Sequence, residues 1–594
     1  MPDRHRAAVS ALPEFEIKFA TAIRKTLKAG YQFSDFRADL LAGLVVGVVA
    51  LPLSMALAIA SGVPPQHGIY TAIIAGGLAA LLGGSSVQVT GPTAAFVVIL
   101  APISAKFGLG GLLLATMMAG ALLVIAGCVR LGRLIEFIPY PVTTGFTSGI
   151  AVVIATLQLK DFLGLSIDKM PEHYLEKLQA IYLALPSVHW ADLAVGAGTL
   201  LLLIVLPRLT RRVPAPLIAL PLTALVAVAL SKYVEGFEVA TIRSRFSYVI
   251  GGVMHGGIPQ LPPMPILPWL ASGSDGQPLA LTLEIIRDLG ASAFAIAVLG
   301  AIESLLSAVV ADGMTGLKHD PDAELIGQGL GNMIAPFFGG IAATGAIART
   351  ATNIRCGARS PVASLTHALF ILLAVVSIAP LLGYLPMASM AALLLVVAWN
   401  MSEVRHFAHV VRTGPGSDVL VLLTCFGLTV IFDMVIAVSV GVVLAAILFM
   451  RRMAEVASVR LISSGPEHPT VFLPPGVMIY EIAGPLFFGA AQKAMSALRT
   501  VEGGVRMVIL DLSAVPLMDA TGLVNLESAV ERLRKSGIRI ILAGVQAQPL
   551  RVMARAGWKQ HHEWMTIRRS LDDGIALAWA RHADEAPNAV PTSA

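Results

Sequence analysis

At 594 residues, 56% of them hydrophobic and only 13% charged, the chain is too apolar for a soluble globular protein of its size and reads as an integral membrane protein. Its formal charge of +5 is small, and the basic residues stand in short groups between apolar runs. That pattern describes membrane topology and argues against a nucleic-acid partner. The three cysteines, Cys128, Cys356 and Cys425, have neither a pairing pattern nor metal-ligand spacing, which argues against structural disulfides and zinc.

The chain opens with a mixed segment holding Asp3, Arg4, His5, Arg6 and Glu14, and no short apolar stretch leads to a small-residue cleavage site. Residues 1–38 are therefore expected to stay in the cytoplasm. A spanning helix needs about 20 apolar residues. By that measure residues 39–453 form a transmembrane domain of roughly fourteen spans, several short or broken. The first covers residues 40–61 with Pro52 inside it, residues 62–68 form a turn, and the second covers residues 70–82. Residues 85–96 alternate like a strand up to Pro92 and are helix-like beyond it. Proline suits a first helical position, so a half-helix is expected to start near Pro92.

Apolar runs follow at residues 112–128, 141–157, 193–206 and 217–230, separated by Arg130 and Arg133 and then by Arg208, Arg211 and Arg212. Counting spans places both arginine groups in the cytoplasm, with the later pairs Arg405/Arg412 and Arg451/Arg452. Residues 232–278 form a long external loop. The second half repeats the first in the opposite orientation: a span over residues 291–310 carries Glu303, a loop holds Lys318, His319, Asp320, Asp322 and Glu324, and a short span reaches Phe338. Residues 339–360 then form a second small-residue, strand-then-helix segment, interrupted by Arg349. An ionisable residue at membrane depth faces protein or water. Paired broken helices at matching places in two inverted halves point to a transporter's binding site.

Two half-helix N-termini that meet near the midplane bring unpaired N–H groups and positive dipole ends to one point, where an anion is the natural occupant. The candidate binding residues are Thr90, Pro92, Thr93 and Ala94 on one side and Ala346, Ile347, Ala348 and Arg349 on the other. The alternative is that the small residues only let helices pack closely. Arg349 either binds the anion directly or is a fixed counter-charge. Glu303, with Asp433 one of two carboxylates expected inside spans, is either a proton carrier for symport or a hydrogen-bonded support for the broken helix. His67 and His319 read as loop residues without a metal.

Beyond residue 453 the composition becomes soluble. Strands are expected at residues 507–512 and 538–542 and helices at residues 522–534 and 548–556, a small cytoplasmic α/β domain over residues 454–581, followed by a disordered tail at residues 582–594.

The stretch from Pro52 to Tyr70, PLSMALAIASGVPPQHGIY, resembles the first-span signature of the SulP family of anion transporters. Glu324 to Asn332 is similar to the family's loop before the ninth span, and Val515 to Leu523 to the core motif of its C-terminal STAS domain. The resemblance covers nearly the whole chain and is strongest, at residues 158–165 and 299–304, to the C4-dicarboxylate transporters of enterobacteria. It implies a homodimer of fourteen-span protomers, each with a core domain of spans one to four and eight to eleven that moves like an elevator against a gate domain. Some members carry an acidic residue after the first-span proline and use it in proton coupling; here that residue is Leu53, which shifts such a role to Glu303 or removes it. In the STAS domain, Ala520 occupies the place of a regulatory phosphoserine. Asp519 reads either as part of a regulatory loop that offers Thr521, or as a helix cap.

The function expected is secondary active transport of small dicarboxylates such as succinate, fumarate and aspartate, coupled to protons, by a multi-pass protein of the bacterial inner membrane with both termini in the cytoplasm. Two alternatives stand beside it: a sulfate or bicarbonate transporter, sodium-coupled in the bicarbonate case, and a membrane signalling protein working through STAS and a cytosolic partner. No nucleophile and base pair, nucleotide motif or metal cluster supports an enzyme, and no cofactor is implied.

Overall fold

The structure is a computed structural model. It describes residues 19–133, 138–167, 170–171, 173–210, 213–279, 281–432, 434–456, 458–462, 472–487, 504–558 and 564–585. Asp433, Arg211, Arg212 and the charged N-terminal residues lie outside these ranges. The chain divides into two compact units, Met1–Val442 and Val443–Ala594.

The first unit opens with a short helix, α1 (Thr21–Lys28), then α2 (Phe33–Ala60), which contains Pro52. Gly62 ends α2 in the left-handed region (φ 81°), a conformation that glycine adopts without strain. Helix α3 (Pro65–Leu82) follows with Pro65 at its first position, so residues 65–68 are helical rather than part of the expected turn. His67 therefore belongs to a helix, not a loop, and its buried ring nitrogen Nδ1 lies 2.7 Å from the carbonyl of Gly339.

After strand β1 (Thr90–Gly91) comes α4 (Ala94–Cys128), broken at Gly108 (φ 68°, ψ −167°). Residues 94–107 alone extend about 21 Å at 1.5 Å per residue, too short for a hydrocarbon core of about 30 Å. Helices α5 (Tyr140–Phe162), α6 (Tyr174–Ala184), α7 (Trp190–Leu209) and α8 (Ala215–Tyr233) complete the first half. The connecting stretch holds α9 (Ile242–Arg245) and a hairpin of β2 (Ser247–Ile250) and β3 (Val253–Gly256), whose two-residue Gly251-Gly252 turn has both φ angles positive.

The second half runs through α10 (Leu283–Thr315), α11 (Pro321–Ile334), β4 (Thr344–Gly345) and α12 (Ile347–Arg355). It continues as α13 (Val362–Leu382), α14 (Met387–Met401), α15 (Val404–Thr413), α16 (Gly416–Ile431) and α17 (Met434–Val456). Among the described residues, 9 helices are long and apolar enough to cross a membrane.

The expected charged loop is shorter: Asp322 and Glu324 are in α11, and Glu324 is 2% exposed. Asp320 caps the helix by accepting from the Ala323 N–H at 3.2 Å, and Pro321 occupies the first turn.

In the second unit, β5 (Ser458–Ile462) pairs antiparallel with β6 (Val477–Ala483), which continues in parallel through β7 (Met507–Asp511), β8 (Arg539–Ala543) and β9 (Met565–Arg568). Strand β7 is buried along its whole length, because Val508 and Leu510 enter one apolar core and Ile509 the other. Helices α18 (Ala520–Lys535) and α19 (Ala547–Arg555) precede and follow β8. Asp519 does cap α18, accepting from the Gly522 N–H at 2.7 Å. The last helix, α20 (Leu571–Glu585), includes His582 to Glu585, which were expected in a disordered tail; residues 586–594 lie outside the described ranges.

Candidate functional site

Strands β1 and β4 pair antiparallel, with Thr90 opposite Gly345 and Gly91 opposite Thr344. The ladder stops at two residues because Pro92 has no N–H to continue it. From each strand the chain turns directly into a helix, α4 at Ala94 and α12 at Ile347. The antiparallel pairing sends the two helices away in opposite directions, so their N-termini are neighbours. The N-cap residues are Thr93 and Ala346, and neither gives a side-chain cap. Both helices thus present first-turn N–H groups that no cap side chain satisfies, at the positive end of each dipole.

One face of α12 acts as a template for residues 87–92. Ala346 donates its N–H to the Val89 carbonyl at 2.9 Å, Thr350 Oγ1 accepts from the Val89 N–H at 3.0 Å, and Asn353 Nδ2 donates to the Val87 carbonyl at 2.9 Å. Arg349 completes this row, since positions 346, 349, 350 and 353 share one helix face. Its side chain leans toward the N-terminus of its helix and lies over Gly91, where a Cβ would come within 2.6 Å of Nη1. Nη2 donates to the Pro92 carbonyl, while Nε and Nη1 have no hydrogen-bond partner although the residue is only 4% exposed. A buried guanidinium with two unpartnered nitrogens is a strong local positive field.

The facing segment is held as firmly. Thr71 Oγ1 accepts from the Ile341 N–H at 2.7 Å, Asn332 Oδ1 accepts from the Ala343 N–H at 2.8 Å, and Gln328 Nε2 donates to the Ala343 carbonyl at 2.6 Å. Glu324 locks the approach to β1: it accepts from the N–H groups of Gly84 and Ser85 at 2.9 and 3.0 Å and from Gln88 Nε2 at 2.9 Å. Ser304 also donates to it at 3.2 Å. The sequence reading missed this residue. The available signal was the Asp320-Pro321 helix start, which places Glu324 inside the first turn.

The structure brings all eight expected binding residues together, but in two layers. Thr90, Pro92, Ala94, Ala346 and Arg349 are buried, whereas Thr93 is partly open, Ile347 is 42% exposed and Ala348 is exposed. Glu303, on α10, joins the open layer and accepts a hydrogen bond from Thr93 Oγ1 at 2.8 Å. Its charge also interacts with that of Arg349. Among the described residues there is no cluster of metal-ligating side chains.

Apolar helices enclosing a buried crossing of two helix starts define a membrane transporter of anions. Residues 36–425 match the model of the sulfate permease family, and residues 468–574 match the STAS domain. The chain belongs to the sulfate permease family. It is 41% identical over 89% of its length to a Bacillus subtilis (strain 168) protein named as a candidate sulfate transporter, covering 95% of that protein. It is 29% identical to the bicarbonate transporter BicA of a Picosynechococcus species, over 87% of this chain and 90% of that one. Its fold is that of murine solute carrier 26 family member A9, an anion transporter solved in the inward-facing state, with a TM-score of 0.80 over 97% of both chains at 19% identity.

Proposed function

We propose that the protein is a secondary active transporter of a small oxyanion, sulfate or bicarbonate, which it binds where α4 and α12 begin. The observation that carries this reading is the meeting of two helix N-termini without side-chain caps beside the buried Arg349. Backbone N–H groups and a fixed guanidinium recognise compact negative charge. Two of the relatives above bear sulfate and bicarbonate in their names, which supports this substrate class over the dicarboxylates expected from residues 158–165. Arg349 acts as a fixed counter-charge rather than a direct ligand, a role supported by its burial and its bond to Pro92.

Glu303 couples transport to protons in this reading. With Glu303 ionised, the Arg349 charge is balanced; with Glu303 protonated, the site carries a net positive charge and favours an anion. Residues 39–453 are assigned to transport, by elevator-like movement within a homodimer, and residues 454–581 to the STAS domain. The test is uptake of labelled sulfate, bicarbonate, succinate, fumarate and aspartate into proteoliposomes at two external pH values, with and without sodium. Uptake confined to the dicarboxylates overturns the substrate assignment. Bicarbonate uptake that requires sodium and ignores pH overturns the role of Glu303.

A further inference from the structure

Helix α2 carries a cation on its apolar outer face. Phe33, Phe36, Arg37, Leu40, Leu41 and Leu44 follow one another at intervals of three, one, three, one and three residues, which gathers them on one side of the helix. All are exposed, Phe33 at 75% and Leu41 at 61%. An apolar face this open, on a helix long enough to cross a membrane, faces hydrocarbon. Arg37 stands within that face, four residues, about 6 Å, from the helix start.

The acids of the same turns face the protein instead. Asp39 is buried and accepts from the N–H groups of Arg359 and Ser360 at 2.6 and 3.1 Å and from the Tyr31 hydroxyl at 2.8 Å. Asp35 accepts from the Arg359 guanidinium at 2.6 Å and from the Gln32 N–H at 3.1 Å. Neither carboxylate serves Arg37, which has no hydrogen-bond or ion-pair partner among the described residues. Lys28, the exposed last residue of α1, has none either. One turn before it, Arg24 lies over the Phe19 ring, 4.5 Å from the centroid. Helix α1 is held in place at this end of the molecule: Ala20 donates its N–H to the Leu82 carbonyl at 2.7 Å, and the Tyr31 bond to Asp39 fastens the linker between α1 and α2 onto α2.

A guanidinium on a lipid-facing surface is costly unless a counter-charge meets it. Its long side chain carries the head toward the interface. The counter-charge that waits there is a lipid phosphate, which a guanidinium grips with two parallel hydrogen bonds. In a zwitterionic headgroup the choline competes for its own phosphate, whereas an anionic headgroup leaves that charge to the protein. We propose that the start of α2 is a binding site for an anionic phospholipid, whose phosphate Arg37 holds from within the apolar face while Lys28 and Arg24 of α1 supply the neighbouring positive field. The exposed Phe33, Phe36 and Leu40 lie against its acyl chains. This site depends on α2 crossing the bilayer and is independent of which anion is transported.

The experiment follows thermal unfolding of the full-length protein in neutral detergent micelles doped with phosphatidylglycerol or, as the reference, with phosphatidylcholine. Variants Arg37→Gln, Arg37→Lys and Lys28→Gln are compared with Arg243→Gln, which removes a cation that bonds the Tyr384 hydroxyl at 2.8 Å. A cooperative transition in phosphatidylcholine micelles shows that each variant is folded, and Lys28→Gln, outside the span, keeps the test open should Arg37→Gln not fold. A ligand that binds only the folded state stabilises it by mass action, so phosphatidylglycerol is expected to raise the wild-type Tm by about 2 °C or more over phosphatidylcholine. Arg37→Gln should lose about half of that gain or more and Lys28→Gln a part of it, Arg37→Lys should keep more than the glutamine variant, and Arg243→Gln should keep it all. No gain in the wild type, a full gain in Arg37→Gln and Lys28→Gln, or an equal loss in Arg243→Gln overturns the site. A rise in Tm with inorganic phosphate that Arg37→Gln abolishes identifies a soluble anion as the occupant and overturns the lipid assignment. A gain that follows protein concentration rather than lipid content assigns the face to a second copy of this chain and overturns it as well.

Discussion

Thr93 donates its hydroxyl to Glu303 Oε2 at 2.8 Å instead of capping the helix it begins. Threonine is a good N-cap residue, so the choice of partner has a consequence: the first N–H groups of α4 stay available while the carboxylate is held beside them. Replacing Thr93 by valine keeps the shape and removes the donor. A hydrogen bond to a charged group contributes about 1.5–3 kcal/mol in favour of the ionised carboxylate, so Thr93→Val is expected to shift the pH dependence of anion uptake. Thr93→Ser should restore it, and an unchanged pH dependence in Thr93→Val would separate the hydroxyl from function.

Glu303→Gln fixes the side chain in its neutral form. In the wild type, acidification protonates Glu303 and leaves the charge of Arg349 uncompensated, so uptake is expected to rise as external pH falls. The glutamine variant should bind the anion but lose that dependence. Uptake in proteoliposomes at several pH values checks it; full pH dependence in the variant removes Glu303 from coupling.

Arg349 and Gly91 form a pair that can be tested from both sides. Arg349→Ala removes the only positive side chain among the eight candidate binding residues and is expected to weaken sulfate or bicarbonate binding by about 100-fold in calorimetry, about 3 kcal/mol. Gly91→Ala leaves the charge but puts a Cβ within 2.6 Å of Nη1, so the guanidinium must shift. A smaller loss, about tenfold, is expected. Equal affinity in wild type and both variants would place the anion elsewhere.

Glu324 is a different kind of carboxylate. Two backbone N–H groups, Gln88 Nε2 and the Ser304 hydroxyl all point at it, and Glu324→Ala removes the acceptor from the Gly84 and Ser85 N–H groups and from the Ser304 hydroxyl, while Gln88 Nε2 keeps only Ser304 Oγ at 2.9 Å. Each stranded donor costs about 1–3 kcal/mol, so the apparent Tm in detergent should fall by several degrees or more. Glu324→Gln should be milder but still destabilising, because its amide nitrogen is a donor where only acceptors serve. A Tm equal to that of the wild type would show that the network is not structural.

Much of this architecture is legible in one dimension. Apolar runs of spanning length mark the membrane unit, and two small-residue segments at matching positions mark the crossing, because glycine and proline leave local signatures that need no neighbours. Glu324 was lost because hydropathy alone assigns a cluster of charges to a loop. His67 was lost for a related reason: Pro64-Pro65 ends one element and also begins the next. The partners of Arg349 were equally out of reach, since Pro92 and Gly91 are separated from it by more than 250 positions.

The amino-acid sequence by itself determined that this protein crosses a membrane, that an α/β domain follows the membrane region, and that Thr90 to Ala94 and Ala346 to Arg349 are its two special segments. These follow from local properties: length of apolar run, period, and the conformational limits of glycine and proline. Only the tertiary structure decided which of those residues are open and which are buried, that Thr93 serves Glu303, and that the Arg349 guanidinium rests on the Pro92 carbonyl. Such facts depend on pairing segments far apart in the chain, where a hydrogen bond at 2.8 Å and a contact with no room for a Cβ are set by the packing of whole helices.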